Sequence, residues 1–310
     1  MVLVFLYKKN SMIDNISNIG IIKVGGHGIK SDDSTIGTIS NLNTIESDYS
    51  GMQLGSANVT FIYNKKQVKG KNFGIEIYNS SNIKTLQNDG LIEGWLAYIA
   101  INIRENSTLE NLSNSGTIRG KEAGISFENA IGGTLTNAGS IIGRDNTSNG
   151  INIKGTSKVD SIISTSSNAL IAGVNAGINN EGTIGKNDTS NAITLKQGTI
   201  TALQWNNEQI NTTGNALINN GTIQGNILLT DSAKIIGTLK NTKTITGNIT
   251  LNNSNIANIN NEKTSNIQGS IELNSNSQIN TISNEGTINK DIKLNQSTIA
   301  NINNAGTITN

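Results

Sequence analysis

The sequence predicts an all-β chain wound as a right-handed parallel β-helix, a solenoid of about 20–22 residues per coil with three short strands in each. Three observations predict it. A phrase Asn-x-Gly followed by a short apolar pair recurs, as at Asn18-Ile19-Gly20, Asn88-Asp89-Gly90, Asn114-Ser115-Gly116, Asn137-Ala138-Gly139, Asn180-Glu181-Gly182, Asn219-Asn220-Gly221, Asn284-Glu285-Gly286 and Asn304-Ala305-Gly306. The isoleucines Ile223, Ile245, Ile267, Ile288 and Ile308 follow one another at intervals of 22, 22, 21 and 20. Between them lie short alternating pairs rich in β-branched residues, such as Ile249/Leu251, Ile271/Leu273 and Ile292/Leu294, which is the period of a strand.

Within one coil the frame is constant. "GTIQGNILL" (221–229), "GNITLNNSNIANI" (247–259) and "GSIELNSNSQINTI" (269–282) each carry an alternating apolar pair, a polar link and a second pair at spacing three, such as Ile256/Ile259 and Ile279/Ile282. The Ile of "GTI" supplies the third apolar point. Three short strands and three corners fill the winding, with Ile and Leu in inward columns and Asn, Ser, Thr, Lys and Glu in outward ones. Asn and Gly are expected to supply left-handed backbone at the corners. Asn above Asn is expected to form an amide ladder along a corner. A parallel crossover within one sheet is right-handed almost without exception, which sets the expected hand. A lone coil buries too little to offset its ordering entropy, so stability has to come from contacts shared with both neighbours.

Worn copies of the phrase at Asn241-Thr242-Lys243 and Asn261-Glu262-Lys263 keep the late beat, whereas Ile92 to Ile118 spans 26 positions. The interval of 43 from Gly139 to Gly182 reads as two turns with one triplet lost. The chain accordingly divides into irregular N-terminal coils over 1–85 and regular repeats over 86–310, the latter stopping in mid-repeat. Leucine-rich, hexapeptide and calcium-binding nonapeptide repeats fit less well in period or composition.

Composition agrees. The absence of Pro suits a chain whose strand N–H groups are nearly all used in ladders. A charged fraction of only 15% avoids columns of stacked like charge. The net charge of +1 argues against a nucleic-acid partner, and the lack of Cys excludes disulfides and thiolate metal sites. "MVLVFLYKKN" has its lysines after a short apolar run, the wrong order for an export signal, and no stretch approaches the length of a membrane helix.

No constellation of chemistry stands out: no catalytic, cofactor-binding or metal-binding residues are assigned, no cofactor is expected, and the chain is expected not to be an enzyme. The nearest candidate is His27 in "GGHGIKSDD", with Asp32 and Asp33 close by. Gly-His-Gly is one motif of polygalacturonase-type hydrolases, which need two positioned carboxylates. Their other motifs are missing, so a Gly-rich corner with an exposed imidazole is expected. Trp95 and Trp205 sit where the beat breaks. They are expected to cover a loop or fill a wider coil; the other reading, with Tyr98, is a sugar-stacking platform. "NVTFIYNKKQVKG" (58–70) reads as an irregular coil with a solvated Lys edge, or else a surface contact patch.

The repeats "LSNSGTIRG", "LTNAGSIIG", "LINNGTIQGNILL" and "ISNEGTINKDIKLNQSTIANINNAGTI" resemble the passenger repeats of bacterial autotransporters, especially the vacuolating-cytotoxin-like and adhesin-like ones. The resemblance runs from about position 86 to 310 and concerns architecture. It implies a surface-displayed or secreted passenger of structural or adhesive, virulence-type role, a β-barrel translocator in the full-length protein, and outer-membrane or extracellular localisation. Its implied partners are a host-cell or matrix receptor, or further copies through solenoid edges. Action by oligomerisation at host membranes, or on polysaccharide as an enzyme, are the alternatives. The missing signal peptide and barrel imply a fragment of a longer product.

Overall fold

Ile184, Ile223, Ile245, Ile267, Ile288 and Ile308 stand one above another in successive coils, each in parallel register with the next. The structure is a computed structural model that describes residues 5–7, 10–96, 98–205 and 207–309. Its described residues contain strands and turns and no helix. They form a parallel β-solenoid of about 13 turns with three strands per turn.

Three further apolar files run nearly the whole length. One climbs from Ile16 through Ile39, Ile62 and Leu86 to Ile249, Ile271 and Ile292. A second climbs from Ile22 through Ile45, Val68 and Ile92 to Ile256, Ile279 and Ile299. The third climbs from Ile29 through Met52, Ile75 and Ile101 to Ile259, Ile282 and Ile302. Nearly all of these side chains are buried, so one continuous core threads the coils. Burial of this kind is the main favourable term in folding. Across position 85 the stack is continuous: Asn58–Asn64 pairs with Asn82–Asn88 in unbroken register. "NVTFIYNKKQVKG" is therefore no irregular coil. It supplies two ordinary strands, Asn58–Asn64 and Gln67–Gly70, with Lys65 and Lys66 exposed in the turn between them.

The Asn-x-Gly phrase does not form one column. Asn18, Asn41, Asn64, Asn88, Asn114 and Asn137 make a first ladder, each Nδ2 donating to the next Oδ1 at 2.7–2.8 Å. Asn180, Asn219, Asn241, Asn261, Asn284 and Asn304 make a second, again at 2.7–2.8 Å. The second ladder occupies the position that Ile77, Ile103, Phe127 and Ile153 hold in earlier coils, so it runs along a different corner. Between the two, Ser164 pairs with Asn137 and its Oγ donates to the Gln197 carbonyl. The interval from Gly139 to Gly182 thus holds one coil in which the triplet is lost, with Ser164 in place of the ladder Asn, followed by a change of corner.

The strands rearrange with it. In early coils the seven-residue strand, such as Thr108–Asn114, lies in one sheet while the other sheet carries two shorter ones. From Lys234–Asn241 onward the long strand lies in the opposite sheet, where it pairs with both Thr199–Leu203 and Asn215–Asn219.

Two expectations about the corners are corrected. The ladder asparagines, apart from the terminal Asn304, are buried inside the solenoid, because an amide bonded to the coils above and below can be dehydrated at little cost. The phrase glycines are not left-handed: a Cβ on Gly116 or Gly139 would lie 2.1 or 2.0 Å from the glycine carbonyl one coil below, so close stacking favours them. Lys66 and Lys243 hold the same station, so the preference is not absolute. Left-handed backbone falls instead mainly to residues of the polar links, such as Asp33, Ser80, Asn106 and Asn129, and to a few glycines outside the phrase, such as Gly155.

Candidate binding groove

In the early coils two strands of one sheet meet at a corner made of glycine. Gly70, Gly94, Gly120, Gly143 and Gly173 end the first strand of each pair. Gly51, Gly74, Gly124, Gly150 and Gly177 are the second residues of strands that follow such corners. A Cβ on Gly120 would sit 1.8 Å from the Ala123 carbonyl oxygen, and one on Gly70 would sit 1.9 Å from that of Phe73. The chain therefore folds back more sharply than any side chain at these positions allows.

The sharp bend makes the outer faces of the two strands converge. Alternation points Ile75 and Ile77 inward and Glu76 outward, yet Glu76 is only 4% exposed. Asn102, Ser126, Asn152 and Asn179 continue its column and are buried too. On the facing wall Glu93, also outward by alternation, is 3% exposed. A re-entrant groove thus runs up this side of the solenoid, and its polar walls are largely shielded from water.

Charges in the groove are ordered by register. Lys23, Glu46, Lys69, Glu93 and Arg119 occupy one column with alternating sign. Glu93 accepts from Lys69 Nζ at 3.0 Å, Arg119 Nη2 at 2.8 Å and Arg144 Nη2 at 3.2 Å. Burial alone would raise its pKa, but the Lys69 hydrogen bond and the Arg119 charge outweigh it and hold the carboxyl below its usual value. Glu76 accepts from Arg104 Nη2 at 3.0 Å, Arg104 Nε at 3.3 Å and Gln53 Nε2 at 2.8 Å. Polar atoms left over in this groove, Gln53 Oε1, Asn102 Oδ1 and Arg144 Nε, are buried without a partner.

His27 lies at the N-terminal end of the groove. It is half-buried, its Nδ1 accepts from the Ser50 N–H at 3.4 Å, and its ring is tilted against Tyr49 at 5.5 Å. Burial first, and then the Lys30 ammonium, hold the imidazole below its usual pKa against the opposing pull of Glu76 and Asp32. Asp32 takes the Tyr78 hydroxyl at 3.0 Å and the Lys30 ammonium at 3.3 Å. Asp33 falls in the left-handed corner beyond it. The fold therefore gathers His27, Asp32 and Glu76 into one electrostatic neighbourhood, but the carboxylates are already engaged by cations or hydroxyl. Such pairing occupies the oxygens that general acid or base work would use.

Trp95 and Trp205 fill no coil. They are 41% and 55% exposed and together border a cleft of about 290 Å³ with Lys121, Arg144 and Glu208. Trp95 follows the corner glycine Gly94. Trp205 arrives on the connection between Thr199–Leu203 and Ile210–Asn211, the one antiparallel pair among the described residues. Tyr98 is absent from this lining and packs against Phe73 at 6.0 Å. Among the described residues no group of three or more His, Asp or Glu is placed to hold a metal ion.

Glu76, Glu93, Arg104, Arg119 and Arg144 escape a reading of the sequence for motifs. For Glu93 and Arg119 the signal is positional: a charged residue directly before the corner Ser or Gly at Glu46, Lys69, Glu93 and Arg119. It becomes visible only when the early coils are aligned on one another. No protein-family model matches the chain, and neither a curated protein nor a solved structure matches it.

Proposed function

We propose that the chain is a non-enzymatic, autotransporter-like passenger, a solenoid scaffold displayed on or released from a bacterial surface and adhesive in role. The observation that carries this reading is the continuous stack: coil after coil presents the same outer faces along the solenoid axis, as a surface for an extended partner does. The partners proposed are a host-cell or matrix receptor and, in the full-length protein, a β-barrel translocator. Binding of the displayed full-length protein to host cells and to purified matrix components tests the reading. Saturable binding that the soluble chain competes away is expected. A full-length protein that binds neither and cleaves glycans overturns it.

One observation favours a second reading, a polysaccharide hydrolase: the gathering of His27, Asp32 and Glu76. Incubation with polyuronates decides it. Turnover that disappears in His27→Ala is what this reading requires, and no turnover by the intact chain removes it.

A further inference from the structure

The Trp95/Trp205 cleft uses both tryptophans of the chain and plays no part in the core. Indole is costly to leave in water, and two large exposed rings at one concave place mark a contact surface. The remaining lining is polar: Lys121, Arg144 and Glu208, with no aliphatic side chain among them. An apolar peptide or a lipid tail would find little to bury against there. A pyranose suits it better, because its C–H face lies on an aromatic ring while its hydroxyls meet charged and amide groups at the edge.

The charge balance narrows the ligand further. Arg144 reaches from the cleft to Glu93, a carboxylate already contacted by Lys69 and Arg119. Beside Trp95, Lys69, Arg119 and Arg144 share Glu93 while Lys121 faces Asp145 at 3.9 Å, so with Glu208 four cations meet three carboxylates and one positive charge is in surplus. Guanidinium and ammonium groups so placed complement carboxylate or sulfate oxygens. The separation in sequence adds weight: the corner loop at Trp95 and the hairpin at Trp205 are both departures from the repeat, and both end at this one cleft.

We propose that this cleft is a binding site for an acidic saccharide, a sugar unit bearing carboxylate or sulfate, with Trp95 and Trp205 as stacking surfaces and Arg144 and Lys121 as the anion contacts. The assignment goes beyond the scaffold reading and stands without it, since the isolated chain would bind such a sugar whether or not it is displayed on a surface.

Because both tryptophans lie in the cleft, intrinsic tryptophan fluorescence of the full chain reports on this site alone. Titration with an oligouronate, a sulfated glycosaminoglycan fragment and a neutral gluco-oligosaccharide of equal length separates the sources of negative charge. A saturable emission change with at least one acidic sugar is expected, with affinity at least tenfold above the neutral one and falling as salt is raised. Arg144→Gln and Lys121→Gln are each expected to weaken it by about tenfold. In Trp205→Ala, calorimetric binding is expected to vanish while the circular dichroism of the strands is unchanged. No response to either acidic sugar, equal affinity for the neutral one, or full binding by Trp205→Ala each overturns the assignment.

Discussion

Asn114 donates its Nδ2 to the Oδ1 of Asn137 at 2.8 Å, and both side chains are 1% exposed. The same Nδ2 lies within 3.2–3.3 Å of the carbonyls of Gly116 and Ser140, so one amide ties together its own corner and the coil above. In turn its Oδ1 accepts from Asn88 at 2.7 Å.

Asn114→Ala therefore removes more than one bond. It leaves Asn88 short of an acceptor and Asn137 short of a donor inside the core. A buried group deprived of its partner costs about 1–3 kcal/mol. Urea unfolding is expected to show a loss of this size, with hydrogen exchange accelerated in the coils that contain Asn88 and Asn137. A change no larger than that of an exposed control such as Asn111→Ala would refute the ladder's structural role.

Glu93→Gln tests the charge cluster. The substitution keeps the shape but strands Lys69, Arg119 and Arg144 around a neutral amide. Removing one partner of a fully buried pair costs roughly 3–5 kcal/mol; partial exposure of the three cations places the expected loss near 2 kcal/mol. The pH dependence has a definite sign. The folded pKa of Glu93 is depressed, so its contribution is complete above the ordinary carboxylate range and fades as pH falls through that range and then through the lower folded value. The stability gap between wild type and Glu93→Gln is expected to be widest near neutrality and to close on acidification. A gap that is constant with pH would show that the carboxylate's charge is not what stabilises the cluster.

The apolar files were legible because Ile223, Ile245, Ile267 and Ile288 recur at nearly constant spacing, and β-branched alternation leaves little choice but stacked strands. The ladder was legible in kind but not in place. Asn137-Ala138-Gly139 and Asn180-Glu181-Gly182 spell the same phrase, yet they lie on different corners, and only the pairing of Asn180 with Ile153 reveals the move. Burial of Glu93 was not legible either: outward alternation reads as exposure, and the convergence of the walls depends on how sharply the chain turns after Gly94. The meeting of Trp95 with Trp205 depends on the reach of two irregular loops, about which periodicity is silent.

Tyr78 offers a spectroscopic check on the N-terminal end of the groove. Burial first, and then its hydrogen bond to Asp32 with the charges of Asp32 and Glu76, push its hydroxyl up to about 12, against the opposing Arg104 charge. Titration of tyrosinate absorbance is expected to show a late component near that value, absent in Tyr78→Phe and shifted toward the ordinary tyrosine range in Asp32→Asn. Because the folded pKa is raised, the associated stability is complete below about 10 and is lost as pH rises from there through the folded value. Titration of all the tyrosines in the ordinary range would contradict the Tyr78–Asp32 contact.

The foot of the second ladder carries a defect that a substitution can relieve. Asn180 donates to Asn219 at 2.8 Å, but its own Oδ1 is buried with no partner, because the residue below it is Ile153. Every ladder amide donates toward the C-terminus, so an Asn at position 153 would aim its Nδ2 at that vacant oxygen. Ile153→Asn loses a buried aliphatic side chain and brings a new unsatisfied oxygen, but it satisfies the old one. Ile151→Asn, at an equally buried site between Ile125 and Ile178, gains nothing in return. Both variants are expected to be less stable than wild type, with Ile153→Asn the milder by roughly 1–3 kcal/mol in urea unfolding. Equal destabilisation by the two would mean that the ladder cannot be extended downward and that Asn180 is bound to its corner by something other than its amide partners.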